Sequence, residues 1–242
     1  ANSIAIRIAR AAVGKDKVAF CGYHGWHDWY LAANLGGKEN LVGQLLPGLE
    51  PNGVPQDLKD TAFPFEYNDF EGLKNLLDSH DIGVIKMEVI RNSVPDNDFL
   101  KKVRTLATDK GVVLIFDECT SGFRETYGGI HKKFKIFPDI CVYGKALGNG
   151  YGITAIVGTK KVMDNAQKTF ISSTFWTERV GPTAALKTLE IMEKTKSWET
   201  ISRKGKNFKK KLTDLGLKYS LPLNVFGSDG IPAFNFDSKK IV

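Results

Sequence analysis

The chain has 242 residues, 42 % of them hydrophobic and 25 % charged, with a net charge of +7. That length supports one large domain or one and a fraction around a packed core, and the composition is that of a globular protein rather than a disordered or fibrous one. No apolar run approaches the roughly 18 residues of a membrane helix, and Cys21, Cys119 and Cys141, each in or beside an apolar run, fit reduced thiols in a cytoplasmic protein rather than a disulfide frame.

The chain opens on "ANSIAIRIARAA", an amphipathic helix with Ile4, Ile8, Ala11 and Ala12 on one face and Arg7 and Arg10 pointing elsewhere. It closes on the strand-like "IPAFNFDSKKIV". The sequence therefore reads as a segment of a longer protein, cut at both ends. "KVAFCG" (17–22) predicts a strand, "WHDWYLAANL" (26–35) a short helical pattern, and 36–64 a loop rich in Gly, Pro and Asn. "FEGLKNLLDSH" (70–80) predicts a helix with Asp69 as N-cap, and "IGVIKMEV" (82–89) a strand. A helix with a glycine stop follows at 96–111. The runs "VVLIFD" (112–117), "DICVYG" (139–144) and "ITAIVG" (153–158) are further strands. A long helical stretch at 178–195 leads into a lysine-rich amphipathic helix at 202–218 that carries much of the positive charge. Those lysines surround Phe208, Leu212, Leu215 and Leu217, as on a solvated face, and predict no nucleic-acid partner.

Strand–helix–strand order with nearly continuous apolar strands implies an α/β fold whose mostly parallel sheet is covered on both faces. The expected division is a large domain over 1–195 and the start of a smaller C-terminal α+β domain over 196–242. In such sheets ligands gather outside the carboxyl ends of the strands. The residues there are Tyr23, His24, Glu88, Asp117, Glu118 and Lys145.

Lys145 follows a buried strand and enters a turn with glycines at 144, 148, 150 and 152. A free lysine, with a pKa near about 10.4, is a poor nucleophile at neutral pH. Burial lowers that value, and Schiff-base formation is the chemistry such lysines perform. The order is wrong for a phosphate-binding P-loop, where the lysine comes after its glycines and before Ser or Thr. Taken alone, a lysine in such a turn reads more readily as structural than as reactive. Asp117 ends the most apolar strand and needs a cation or donor, which a pyridinium nitrogen or a neighbouring arginine would supply. Pyridoxal phosphate calls for both groups, a lysine at its aldehyde and an acid at its ring nitrogen. His24 and His27 are three apart, and with no further ligand cluster they predict no metal site. Arg91 and Arg124 suit either a substrate carboxylate or a structural ion pair. A dinucleotide-binding Gly-x-Gly-x-x-Gly after the first strand is absent from "FCGYHGWHD", which argues against a nicotinamide enzyme.

"IFDECTSGFR", "PDICVYGKALGNGYGITAIVG" and "SSTFWTERVGPTAALKTLEIM", together with "FCGYHGWHDWY", resemble the core of class III aminotransferases. These are fold-type I pyridoxal-phosphate enzymes that include glutamate-1-semialdehyde aminomutase. The resemblance runs from residue 1 to about 195 and more loosely beyond. It implies that Lys145 forms the Schiff base with the cofactor and shuttles the substrate's alpha proton. It also implies that Asp117 pairs with the pyridine nitrogen and that Tyr23 stacks on the ring with His24 beside it. Thr174 would bind phosphate in the neighbouring subunit's site, which makes the protein a homodimer with shared sites. Glu88 falls where the family has a strand-end glutamate, and Glu118 is a further acid near the site. Many members read Asp-Glu-Val-Gln where this chain has Asp117-Glu118-Cys119-Thr120. Thr120 still offers a hydroxyl to the cofactor's phenolic oxygen, with shorter reach. The family's phosphate loop precedes the helix at "ANSIAIR", outside this sequence.

The function so implied is transfer of an amino group between a small-molecule amino donor and a carbonyl acceptor. A 2,1-aminomutase of the glutamate-1-semialdehyde type is the alternative, toward which "SGFR" (121–124) leans, and an inactive scaffold of the same fold is a third. Retention of both Lys145 and Asp117 speaks against the scaffold. Asp117→Ala is expected to leave the fold largely intact.

Overall fold

The computed structural model describes residues 1–37, 39–44, 48–90, 92–96 and 98–237. In chain order these form α1 (Asn2–Val13), β1 (Lys17–Cys21), α2 (Asp28–Leu31), β2 (Ala62–Pro64), α3 (Phe70–Ser79), β3 (Ile82–Glu88), α4 (Phe99–Asp109) and β4 (Val113–Asp117). There follow α5 (His131–Phe134), β5 (Ile140–Tyr143), β6 (Ala155–Gly158), α6 (Lys160–Met163), α7 (Val180–Thr195), α8 (Ser197–Lys218), β7 (Leu223–Phe226) and β8 (Ala233–Phe236).

The six-stranded sheet has the order β2-β1-β3-β4-β5-β6. Its first five strands are parallel, and β6 runs antiparallel to β5. The reversal has a physical reason. A parallel return needs a crossover of about a dozen or more residues, usually helical, whereas 144–154 contains only one 3-10 turn, at Lys145–Leu147. All seven residues of β3 and all five of β4 are buried, as expected for central strands covered on both faces.

Side chains alternate across these strands and feed two cores. Ile85, Met87, Leu114 and Phe116 pack with Leu73, Leu77, Val103 and Leu106 of α3 and α4. Val84, Ile115 and Val142 pack on the other side with Ala5, Ile6, Ile8 and Ala9 of α1. The buried arc of α1 is thus rotated from the expected one: Ala11 is exposed and Ile4 only half-buried. Small residues at 5 and 9 let the helix approach the sheet closely. The helix stops at Gly14, whose φ of 68° is left-handed and whose N–H donates to the Arg10 carbonyl.

Asp69 caps α3, its carboxylate accepting from the Gly72 N–H at 2.9 Å. Helix α4 begins at Phe99 rather than 96. Asp96 is held outside it by both ends of the Asn68 side chain, and Asp98 is left-handed at φ 59°. The 36–64 stretch hides the edge strand β2, a three-residue pairing with β1. Past α7, the long α8 packs on the separate β7–β8 ribbon. Lys209 donates to the Gly227 carbonyl at 3.0 Å and pairs with Asp229 at 2.9 Å. Glu125 receives the Gly230 N–H at 2.7 Å and so ties this segment back to the loop after β4.

Candidate active site at the carboxyl edge of the sheet

Register brings the strand ends together. Cys21 lies beside Met87, Glu88 beside Asp117, and Asp117 beside Val142. Lys145 follows three residues beyond Val142.

Asp117 is 3 % exposed. Its Oδ2 accepts from Asn2 Nδ2 at 2.8 Å and from His24 Nδ1 at 2.9 Å, and the Lys86 ammonium lies 3.6 Å away. Its Oδ1 accepts from the Cys119 N–H at 3.1 Å. Burial pushes this carboxyl's pKa up. The Lys86 charge and the His24 and Cys119 hydrogen bonds outweigh it and hold the group well below the usual carboxylate range. Asp117 is therefore an anion at any neutral pH.

His24 is buried, with its ring stacked on Trp29 at 6.1 Å and edge-on to Tyr30 at 6.0 Å. Its second ring nitrogen, Nε2, lies 3.0 Å from the Cys21 carbonyl. Burial and the Lys86 charge lower its pKa, against the pull of Asp117. Neutral His24 therefore carries its proton on Nδ1, toward the carboxylate.

The turn that delivers Tyr23 and His24 depends on glycine. Gly22 has φ 105°, and a Cβ there would stand 2.7 Å from Glu88 Oε2. That carboxylate also accepts from the Tyr23 N–H at 3.2 Å. Gln44 receives the Gly22 N–H at 2.6 Å, and the Tyr30 hydroxyl donates to the Gly22 carbonyl at 3.1 Å. Tyr23 is half-buried, its ring edge-on to Tyr30. Glu88 also faces a small cavity of about 270 Å³ shared with Gln44, Glu66 and Tyr67.

Lys145 differs in kind. It is exposed and left-handed at φ 46°, a conformation that costs a non-glycine residue energy. Its Nζ donates to Thr120 Oγ1 at 2.9 Å. Arg124 Nε in turn donates to the Thr120 carbonyl at 2.6 Å. Lys145 and Arg124 border a cleft of about 1110 Å³ against α7, with Tyr151, Arg179 and Lys187. The Cys119 thiol links the two sides. Burial and Asp117 push its pKa up to about 12, while Lys86 and Lys145 pull it down.

The remaining candidates lie elsewhere. Glu118 is fully buried, accepting from the His131 N–H at 3.0 Å, from His131 Nδ1 at 2.9 Å and from the Ser121 hydroxyl. That bonding fastens the loop from β4 to α5, and Glu118 does not join the Asp117 cluster. Thr174 sits in an exposed turn beside exposed Phe175 and Trp176. Arg91 lies outside the described residues. Among the described residues no group of three or more His, Cys, Asp or Glu side chains is placed to hold a metal ion.

Two members of the cluster were not read from the sequence, Asn2 and Lys86. Asn2 donates to Asp117 and to the His24 carbonyl and accepts from Lys86 Nζ at 3.0 Å. A lysine inside "IGVIKMEV" was the available signal for Lys86, since an unpaired charge in a central strand is costly. Asn2 offered none.

Known proteins share this arrangement of chain and fold. The 3-aminobutyryl-CoA aminotransferase of Cloacimonas acidaminovorans (strain Evry) is 36 % identical over 245 residues, covering 98 % of this chain and 55 % of that protein. The glutamate-1-semialdehyde 2,1-aminomutase of Sulfolobus acidocaldarius is 37 % identical over 212 residues, covering 84 % of this chain and 49 % of that protein. Among solved structures, the FumI protein of Sphingopyxis sp. MTA144, in its PLP internal aldimine form, superposes with a TM-score of 0.86 at 24 % identity. The match covers 99 % of this chain and 56 % of that one. An omega-transaminase from Sphaerobacter thermophilus gives a TM-score of 0.81 at 22 % identity, over 94 % of this chain and 55 % of that one. The chain spans about half the length of the curated relatives it matches. The model of the aminotransferase class-III family matches residues 1–241, so on sequence as well as on fold this chain belongs to the class-III aminotransferase family.

Proposed function

We propose that the chain carries the cofactor-holding part of a pyridoxal-phosphate-dependent enzyme that transfers an amino group from a small-molecule donor to a carbonyl acceptor. The observation that carries this reading is the placement of Asp117 at the end of β4 and of Lys145 just past β5, its parallel neighbour, with Thr120 of the β4 loop bonded to Lys145.

The donor set fits the cofactor. A carboxylate oxygen offers about two lone pairs. Oδ2 of Asp117 receives Asn2 and His24, Oδ1 receives the Cys119 N–H, and the Cys119 thiol also hydrogen-bonds this carboxylate. A thiol is a weak donor, so a protonated ring nitrogen would displace it from the carboxylate. When bound, pyridoxal phosphate supplies an electron sink for the charge left when a substrate loses its alpha proton. Asp117 would keep the ring nitrogen protonated. Lys145 would supply the amine that joins the aldehyde and, once released, would move the proton. The Thr120 hydroxyl would hold that amine or the cofactor's phenolic oxygen. Tyr23 would cover the ring, and His24 would fix Asp117 in place. Glu88 orients the Gly22–Tyr23 turn.

Borohydride reduction of the cofactor-loaded protein followed by peptide mapping tests this reading. The expected adduct lies on Lys145, and an adduct on another lysine refutes the assignment.

A 2,1-aminomutase is the second reading, supported by the Sulfolobus relative bearing that name. A screen of amino donors with the keto product followed separates the two, because a mutase releases none. The exposed Phe170, Phe175 and Trp176 around Thr174 support a homodimer in which Thr174 meets a neighbour's cofactor phosphate. The separate β7–β8 ribbon supports a boundary between 1–195 and 196–242. Three free cysteines support a cytoplasmic setting. No helix among the described residues is long and apolar enough to cross a membrane.

A further inference from the structure

Lys86 has no part in the reading above, yet it is one of the largest fully buried side chains in the molecule. It lies in the middle of β3, on the face shared by Val84 and the α1 core. A sheet needs no lysine there, and replacing a buried ion pair with an apolar residue is often neutral or stabilising. Its ammonium is placed for charge rather than for packing. It donates to Asn2 Oδ1 at 3.0 Å and stands 3.6 Å from Asp117 Oδ2, the oxygen that also receives His24 at 2.9 Å.

The geometry around His24 invites a second proton, because both ring nitrogens face acceptors, Asp117 Oδ2 at 2.9 Å and the Cys21 carbonyl at 3.0 Å. A doubly protonated ring would place two cations against one carboxylate oxygen, and like charges that close disfavour each other. Among the described residues, the other ionisable groups around the cluster are Glu88 on β3, Cys119 beyond β4, the phenols of Tyr23 and Tyr30, the Lys145 ammonium near Cys119, and the Ala1 amino group, which the charges of Lys86 and Asp117 both reach. Two of these can be cations, but Lys145 is held by Thr120 and burial lowers the pKa of the Ala1 amino group, whereas Lys86 bonds Asn2 inside the cluster.

We propose that Lys86 is a positioning residue of this site: its buried ammonium balances Asp117 and keeps His24 neutral. The consequence for the cofactor rests on the reading that Asp117 meets the ring nitrogen. With His24 neutral, the carboxylate faces that nitrogen with its full charge.

Nitrogen NMR of histidine-labelled, cofactor-free protein reads the His24 ring directly. The wild type should show a neutral ring through the neutral pH range, with its midpoint below the ordinary histidine value of about 6.5. Lys86→Met and Lys86→Gln should take up a second proton inside that window, with a midpoint above the wild-type one. A doubly protonated His24 in the wild type at neutral pH overturns the proposal, and this result needs no variant to fold. An unchanged titration in the folded variants overturns it equally. With pyridoxal phosphate added, the absorbance–pH profile of Lys86→Met should gain an inflection that Lys86→Met/His24→Gln lacks. The NMR shift without that inflection would count against the cofactor reading and leave the charge balance standing.

Discussion

Asp117 ends one strand and Lys145 follows its neighbour, yet their surroundings are opposite. The acid is 3 % exposed and engaged by Asn2, His24, Cys119 and Lys86. The lysine is exposed, in a left-handed backbone, and is held by Thr120. Each state suits a different task. A group that holds a ring in one protonation state gains from donors already in place, because nothing has to reorganise when charge develops. A group that forms and breaks a bond and carries a proton has to move. Folding completes the first half of the site and leaves the second half free.

Substitution on the open side should separate activity from stability most widely. Lys145→Ala is expected to lower turnover by about 10⁴-fold while changing unfolding free energy by no more than about 0.5 kcal/mol, as at other exposed positions. Kinetics paired with urea unfolding would check both. A large loss of stability would mean that the open side is also structural.

Asp117→Ala should do damage on both counts, and here the structure corrects the expectation from sequence that the fold survives largely intact. Removing the carboxylate strands the Lys86 ammonium and the His24 and Asn2 donors, and uncompensated buried charge costs about 3–5 kcal/mol. Asp117→Asn keeps the shape and separates the loss of charge from the loss of packing. The pH dependence follows with one sign. Asp117 has a depressed pKa in the fold, so its contribution is present above the unfolded value of about 3.9 and is lost as pH falls below it. His24 is also depressed, so below about 6.5 the unfolded chain binds a proton that the folded chain does not. Stability should therefore fall as acid is added, first near the histidine range and again near the carboxylate range. Urea midpoints that rise on acidification would contradict this.

Gly22→Ala probes the turn on the closed side. It combines a φ of 105° with a Cβ 2.7 Å from Glu88 Oε2, and should cost about 1–3 kcal/mol. Thermal denaturation reads this directly, and an unchanged melting temperature would show that the turn relaxes freely. The smallest effect is expected from Thr120→Val, which removes one hydrogen bond from Lys145. A loss of about 1 kcal/mol corresponds to roughly fivefold in kcat/KM, with no change in stability.

These contrasts also mark where sequence reading succeeds. Strands β1, β3, β4, β5 and β6 were visible as apolar runs, and the rule that ligands gather at carboxyl ends pointed to Tyr23, His24, Glu88, Asp117, Glu118 and Lys145 as candidates. The short edge strand β2 was hidden, since three residues ending in Pro64 carry no alternation to detect. The face of α1 was misplaced by one position because alanines on both sides of the helix make its apolar arc ambiguous. Glu118 looked like a site acid beside Asp117, but successive residues at a strand end diverge, and it turned to His131 and Ser121 instead.

Periodicity, glycine placement and residue chemistry lie in neighbours along the chain, so the sequence by itself determined the α/β class and most of the order of elements, and it marked Asp117 and Lys145 as candidates. The donors that Asp117 would collect were settled only by tertiary structure. Asn2 is 115 residues away and His24 is 93 away, and strand register together with the seating of α1 brings them to one oxygen. Lys86 could be seen in the sequence as an anomaly, but its partners could not. A buried charge is satisfied through space, by whatever packing delivers to it, and no local pattern records that.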